Sequence, residues 1–199
     1  MKKFVLIAAL FTSVSLFGEG FRLVEWGANL AEIKKAENNR KFIKSEEVQT
    51  QGKYIWNLDI YTFEDSLKSA GEFNVQYVLL EDKLIQGNYS QKIKNGDLEN
   101  YNKMKKILED KYGYPQGVYK SSSFLFENGR ENSAEKKILT WYIKDTRIDL
   151  ILKRDIEFQI NYYTRDRELV DFILDKALEK EKEREKKLMK DSEFIKSKI

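Results

Sequence analysis

The chain has 199 residues, 36 of them Lys or Arg and 33 Asp or Glu, with one Pro and neither Cys nor His. Without Cys there are no disulfides, thiolate nucleophiles or cysteine-held metal clusters. Without His there is no Ser-His-Asp chemistry and no imidazole metal site. A formal charge of +3 is too near balance to argue for nucleic acid, while 13% aromatic content gives a core-forming supply that a disordered chain lacks.

Met1-Lys2-Lys3 reads as a basic n-region and Phe4 to Phe17 as an apolar h-region. Gly18 and Gly20 place small residues two apart, the pattern a signal peptidase reads. Residues 1–20 are therefore expected to be a Sec-type signal peptide, cut after Gly20 or, as the other option, after Gly18. The run falls short of the roughly 20 residues that span a bilayer, and no Cys follows it to carry a lipid. The expected location is periplasmic or secreted, with no stable membrane insertion after cleavage.

In the mature chain, Asn29 with Glu32 three residues on forms a capping box for a short helix that ends at Asn38-Asn39. Partial alternation over Lys41 to Thr50 and clear alternation over Tyr54 to Phe63 predict two strands. Glu72 to Leu80 and Leu84 to Lys92 predict a hairpin turning at Glu81-Asp82-Lys83. Leu98, Tyr101, Met104, Ile107, Leu108 and Tyr112 then recur at helical spacing after an Asp97 cap, and Gly113 and Pro115 stop the helix. Strands are predicted over Val118 to Phe126, Lys137 to Lys144, Arg147 to Lys153 and Ile156 to Thr164. Glu127 to Ala134 reads as a polar loop, and Asp145-Thr146 and Arg154-Asp155 as turns. A helix capped by Asp166 carries Leu169 to Leu178, after which its apolar stripe gives way to mixed charge.

This order predicts an α+β fold: an antiparallel sheet of about seven or eight strands with short helices on one face, plus a long C-terminal helix. The domain spans 21–178, with halves 21–96 and 97–165 that each read α-β-β-β-β. Residues 179–199 form a charged helical tail supported by i,i+3 and i,i+4 pairs such as Glu183 with Lys187.

The opening Trp26-Gly27-x-Asn29-x-x-Glu32-Ile33-Lys34-Lys35 and the exit Lys111-Tyr112-Gly113-Tyr114-Pro115 resemble segments of small secreted bacterial proteins of unassigned function. Some of these are similar in organisation to β-lactamase-inhibitor-like and outer-membrane assembly lipoprotein folds. That resemblance implies a binding module whose partner is another envelope protein. It carries no functional residue over to this chain.

Chemistry is sparse. Asp59, Glu64, Asp65, Asp145, Asp149 and Asp166 are the carboxylates near strand ends and turns, and no spacing fixes a catalytic pair. The oxygen-rich candidates Asn95-Gly96-Asp97 and Glu127-Asn128-Gly129 lack the ligand count for calcium. Neither a cofactor nor a metal is expected. The aromatics suggest a contact surface, with Tyr54, Tyr61 and Tyr163 as exposed candidates beside Trp56 and Trp141. Tyr162 and Tyr163, being adjacent on a strand, must face opposite ways. The expected function is a non-enzymatic, exported protein-binding module. The alternatives are a glycan or small-ligand binder and, further off, a carboxylate hydrolase.

Overall fold

The computed structural model describes residues 20–51, 54–67, 71–94, 96–127, 130–153 and 156–196. Residues 1–19 of the expected signal segment and the Arg154-Asp155 turn lie outside these, while Gly20 falls in the first strand. A two-residue ladder, β1 (Gly20–Phe21) with β2 (Val24–Glu25), opens the chain. Helix α1 (Leu30–Ala36) follows, then strands β3 (Ile43–Gln51), β4 (Tyr54–Leu67), β5 (Gly71–Leu80) and β6 (Lys83–Lys92). Helix α2 (Glu99–Tyr112) leads into β7 (Gly117–Glu127), β8 (Arg130–Ile143), β9 (Thr146–Lys153) and β10 (Glu157–Thr164). Helix α3 (Arg167–Lys196) ends the described chain.

The eight long strands form one antiparallel sheet in the order β3-β4-β5-β6-β10-β9-β8-β7. Each half is thus a helix and a four-strand meander, and the last strands of the two halves pair at the centre of the sheet. The predicted α+β class and the order of elements are those observed. Within the predicted loop Glu127 to Ala134, Glu127 and residues 130–134 instead continue two long paired strands, because β7 and β8 hold register from Gly117↔Thr140 to Glu127↔Arg130; residues 128–129 lie outside the described residues. The β8–β9 turn also lies one residue earlier than predicted, with Lys144 left-handed and Thr146 already in β9.

Local sequence accounts for the helix ends. Asn29 accepts a hydrogen bond from the Glu32 amide while the Glu32 carboxylate accepts one from the Asn29 amide, a reciprocal capping box. Asn38 and Asn39 both adopt positive φ, which Asn tolerates. In α2 the cap position falls to Leu98, and Asp97 acts from one residue further out by accepting from the Glu99 amide. Gly113, at φ 79°, ends α2. Asp166 accepts from the Leu169 amide and caps α3.

Strand alternation divides the core in two. One sheet face presents Phe63, Phe73, Val75, Tyr77, Leu139, Trp141, Leu150, Phe158 and Ile160 to α1, α2 and the β1–β2 segment. Phe21 anchors that segment: its ring fills the notch left by Gly87, where a Cβ would lie 2.1 Å from the ring. The opposite face presents Leu58, Ile60, Val78 and Leu80 to Phe172 and Ile173 of α3. The long helix therefore docks on the other side of the sheet from the two short ones, its apolar contacts among the described residues lying at the β4–β6 end.

Candidate functional site

Among the described residues the apolar contacts of α3 lie at the β4–β6 end, and over β6, β10, β9 and β8 the second sheet face carries mostly polar side chains. Alternation sends most aliphatic residues of these strands to the α1–α2 core, while Ile85, Ile138 and Ile151 fall on the second face. The polar set faces the other way: Tyr142 is exposed, Ser90, Arg147, Gln159 and Tyr163 are half-buried, and Asn88, Thr140, Asp149 and Asn161 are buried among them. Strand register aligns Thr62, Gln76, Asn88, Asn161, Asp149 and Thr140 into one polar row running across the sheet.

Hydrogen bonds fix much of this row. Asn88 Nδ2 donates to Asn161 Oδ1 at 2.8 Å, and Asn161 Nδ2 donates to the Tyr163 hydroxyl at 2.9 Å. The Thr140 hydroxyl donates to Asp149 Oδ1 at 2.8 Å. Arg147 grips the same carboxylate with both ends of its fork, Nε to Oδ1 at 3.0 Å and Nη2 to Oδ2 at 2.6 Å. Such bidentate pairs are among the stronger and more directional ones. The Asp149 contact holds Arg147 above its ordinary pKa despite partial burial. Its guanidinium also lies over the Tyr163 ring at 5.5 Å, and Arg165 lies over Tyr142 at 4.9 Å. Burial pushes the Tyr163 phenol up, so it stays a neutral hydrogen-bonding group.

The five aromatics singled out from sequence are not brought together. Tyr163 lies on the open face, half-buried, with Tyr162 pointing into the core as strand alternation requires. Trp56 is on the same face but under α3, donating its indole N–H to the Ile173 carbonyl at 3.1 Å. Trp141 is fully buried and donates to the Gly113 carbonyl at 2.8 Å, tying β8 to the end of α2. Tyr61, expected at the surface, is only 8% exposed, because its strand is covered on both faces. The Tyr54 side chain lies outside the described residues. The third tryptophan, Trp26, donates to the Thr146 hydroxyl at 2.9 Å and latches the opening segment to the β8–β9 turn.

Arg147, Asp149, Tyr142 and the Asn88–Asn161 pair escaped the sequence reading as a surface. The signal was present in β9, where Arg147 and Asp149 interrupt an aliphatic strand at a spacing of two. Of the carboxylates considered for catalysis, Asp149 is held by Arg147, Asp59 by Lys44, and Asp65 by Arg22 and Arg40. Glu37, buried, accepts from Arg22 and Tyr77. Among the described residues no group of three or more acidic side chains is arranged to hold a metal, and no helix is long and apolar enough to cross a membrane. Comparison with protein-family models, curated proteins and solved structures finds no match to this chain.

Proposed function

We propose that this protein is an exported, non-enzymatic accessory module that recognises another envelope protein through the open face of its sheet. One observation carries the reading: on the sheet face away from the docked part of α3, exposed Tyr142 and half-buried Arg147 and Tyr163 are already held by hydrogen bonds and ring contacts. Arg and Tyr dominate binding hot spots, and side chains ordered before association lose less entropy on docking. The flanking Asn, Gln, Ser and Thr supply the hydrogen bonds of a polar rim. Export through the N-terminal signal, without a lipid anchor, belongs to the same proposal.

The test is capture from envelope extract with the full mature chain as bait, beside a Tyr142→Ala/Arg165→Glu variant, which removes the exposed ring and its cation and leaves the Arg147–Asp149 pair in place. The expected result is a reproducible partner that the variant loses while its melting temperature stays near wild type. Recovery of the same partner by both baits would assign the contact to another surface, and recovery of none would overturn the reading. A glycan-binding alternative has the amide-rich row in its favour. Against it, the indole N–H groups of Trp26, Trp56 and Trp141 all serve internal contacts.

A further inference from the structure

A second surface lies on the other side of the molecule, between the end of α1 and the start of β3. A groove of about 530 Å³ is lined by Leu30, Lys34, Arg40, Lys41, Phe42, Lys44 and Tyr61, with Asn39 at its side. Its floor is apolar, from Leu30, Phe42 and Tyr61. Its rim carries four cations and no carboxylate.

The carboxylates nearest this rim are already engaged. Glu37 and Asp65 lie behind Arg40 and are bound by Arg22 as well. Asp59 and Glu46 take Lys44, at 2.9 and 3.2 Å. Glu32 caps α1 through Asn29, and Asp82 accepts from the Leu30 amide at 3.0 Å. Lys34 and Lys41 are exposed, and among the described residues neither has a carboxylate within ion-pair distance. The negative end of the α1 dipole accounts for Lys34, which sits in the last helical turn. It does not account for Lys41, which lies five residues beyond the helix on the far side of the Asn38-Asn39 reversal.

Unpaired cations above an apolar floor match a ligand that is anionic and apolar by turns. The groove opens beside the first residues of β3, which forms the free edge of the sheet, so an extended chain can enter without displacing an element. We infer that the groove between α1 and β3 binds an acidic segment of a partner protein, its carboxylates on Lys34 and Lys41 and an aliphatic side chain on Phe42 and Tyr61. This rests on the proposal that the protein binds another protein, and gives that partner a chemistry.

The experiment uses the full mature chain and a fluorescently labelled peptide of alternating glutamate and leucine, followed by anisotropy at physiological ionic strength. Wild type is expected to bind saturably, and Lys34→Glu/Lys41→Glu to bind roughly tenfold more weakly or worse, the scale of one or two lost charge contacts. A control with the same charge change on the exposed Lys106 and Lys187 should bind as wild type, and all three proteins should melt alike. Three results would overturn the inference: equal binding by wild type and the groove variant, equal loss in both variants, or sedimentation with phosphatidylglycerol vesicles without peptide binding. If envelope capture recovers a partner that the groove variant still binds, this inference fails alone. If capture recovers nothing, the broader proposal fails while the peptide result still stands.

Discussion

Arg22 lies in a two-residue turn at φ 58°, yet its guanidinium is the hub of the core's charge. It donates to Glu37 at 2.6 Å, Asp65 at 2.9 Å and the Tyr89 hydroxyl at 3.3 Å, and packs over the rings of Phe63 and Tyr89. Burial opposes its charge, but Tyr89, Glu37 and Tyr77 outweigh that and hold it above the ordinary guanidinium value. Arg22→Met should therefore cost about 3 kcal/mol in urea unfolding, because it strands the 3%-exposed Glu37 carboxylate. The same cluster sets the acid limb of stability. Burial alone would raise Asp65, but Arg22 and Arg40 hold it below 3.8. A lowered folded-state pKa means that its stabilisation is complete above the ordinary value and is lost as pH falls through the lowered one. Asp65→Asn should flatten that acid limb. At the alkaline limit the sign reverses. Burial raises Tyr77, Tyr89 and Tyr162 above 10.0, so the unfolded chain ionises first and stability declines as pH rises beyond about 10. Tyrosinate absorbance from these three should appear with global unfolding rather than before it.

Among the elements, α3 is divided by what it touches. Its first three turns place Phe172 and Ile173 against the sheet, with Lys83 and Lys176 around the Phe172 ring and Lys176 paired to Glu81. From 182 to 190 every described side chain is exposed, and the helix there runs on surface pairs worth a few tenths of a kcal/mol each. At 30 residues α3 is about 45 Å long, well beyond what β4 to β6 can cover. Removing residues 179–199 should shift the melting temperature by only about 1 °C. Phe172→Ala, by contrast, should cost about 2 kcal/mol, less than for a fully buried ring because Phe172 is half-exposed. Gly87 shows the same dependence on contact in the core. Gly87→Ala drives a methyl into the Phe21 ring and should cost about 1–3 kcal/mol. In a Phe21→Leu background that cost should shrink, a non-additivity that a double-mutant cycle would measure.

On the scale of the whole molecule, the β6–β10 pairing makes one sheet of two meanders. Asn88 lies directly opposite Asn161 at this seam and donates to it, so this face is polar at the seam where the other carries Tyr89, Phe158, Ile160 and Tyr162. Both seam strands are paired on either side, whereas β3 and β7 each have one free edge. Hydrogen exchange should therefore be slowest in β6 and β10 and fastest in β3 and β7, since exchange follows the free energy of local opening. A pattern in which either meander as a whole exchanges much faster than the seam would mean that the halves open separately.

What could be read without coordinates was local. The Asn29–Glu32 box, the Gly113 stop, the Asp166 cap and the Tyr162–Tyr163 alternation involve groups within a few residues of each other, where backbone geometry leaves few options. The extent of β7 and β8 was not readable, because polar residues in a paired edge strand look like a loop until the partner is known. Tyr61 was misplaced for a related reason: alternation says that two faces exist, not that α1 and α3 will cover both over β4. The candidate surface depends on strand pairing as well as on near neighbours. Asp149 is an ordinary strand carboxylate until Arg147 and Thr140 close on it, and Tyr163 gains its setting from Asn161 and Arg147. By itself the sequence determined the element order, the α+β class and the absence of imidazole and thiol chemistry, because these follow from short-range pattern and composition. Only the tertiary structure decided which sheet face stays open, because that depends on where a helix beginning at Arg167 comes to rest on strands more than 80 residues earlier.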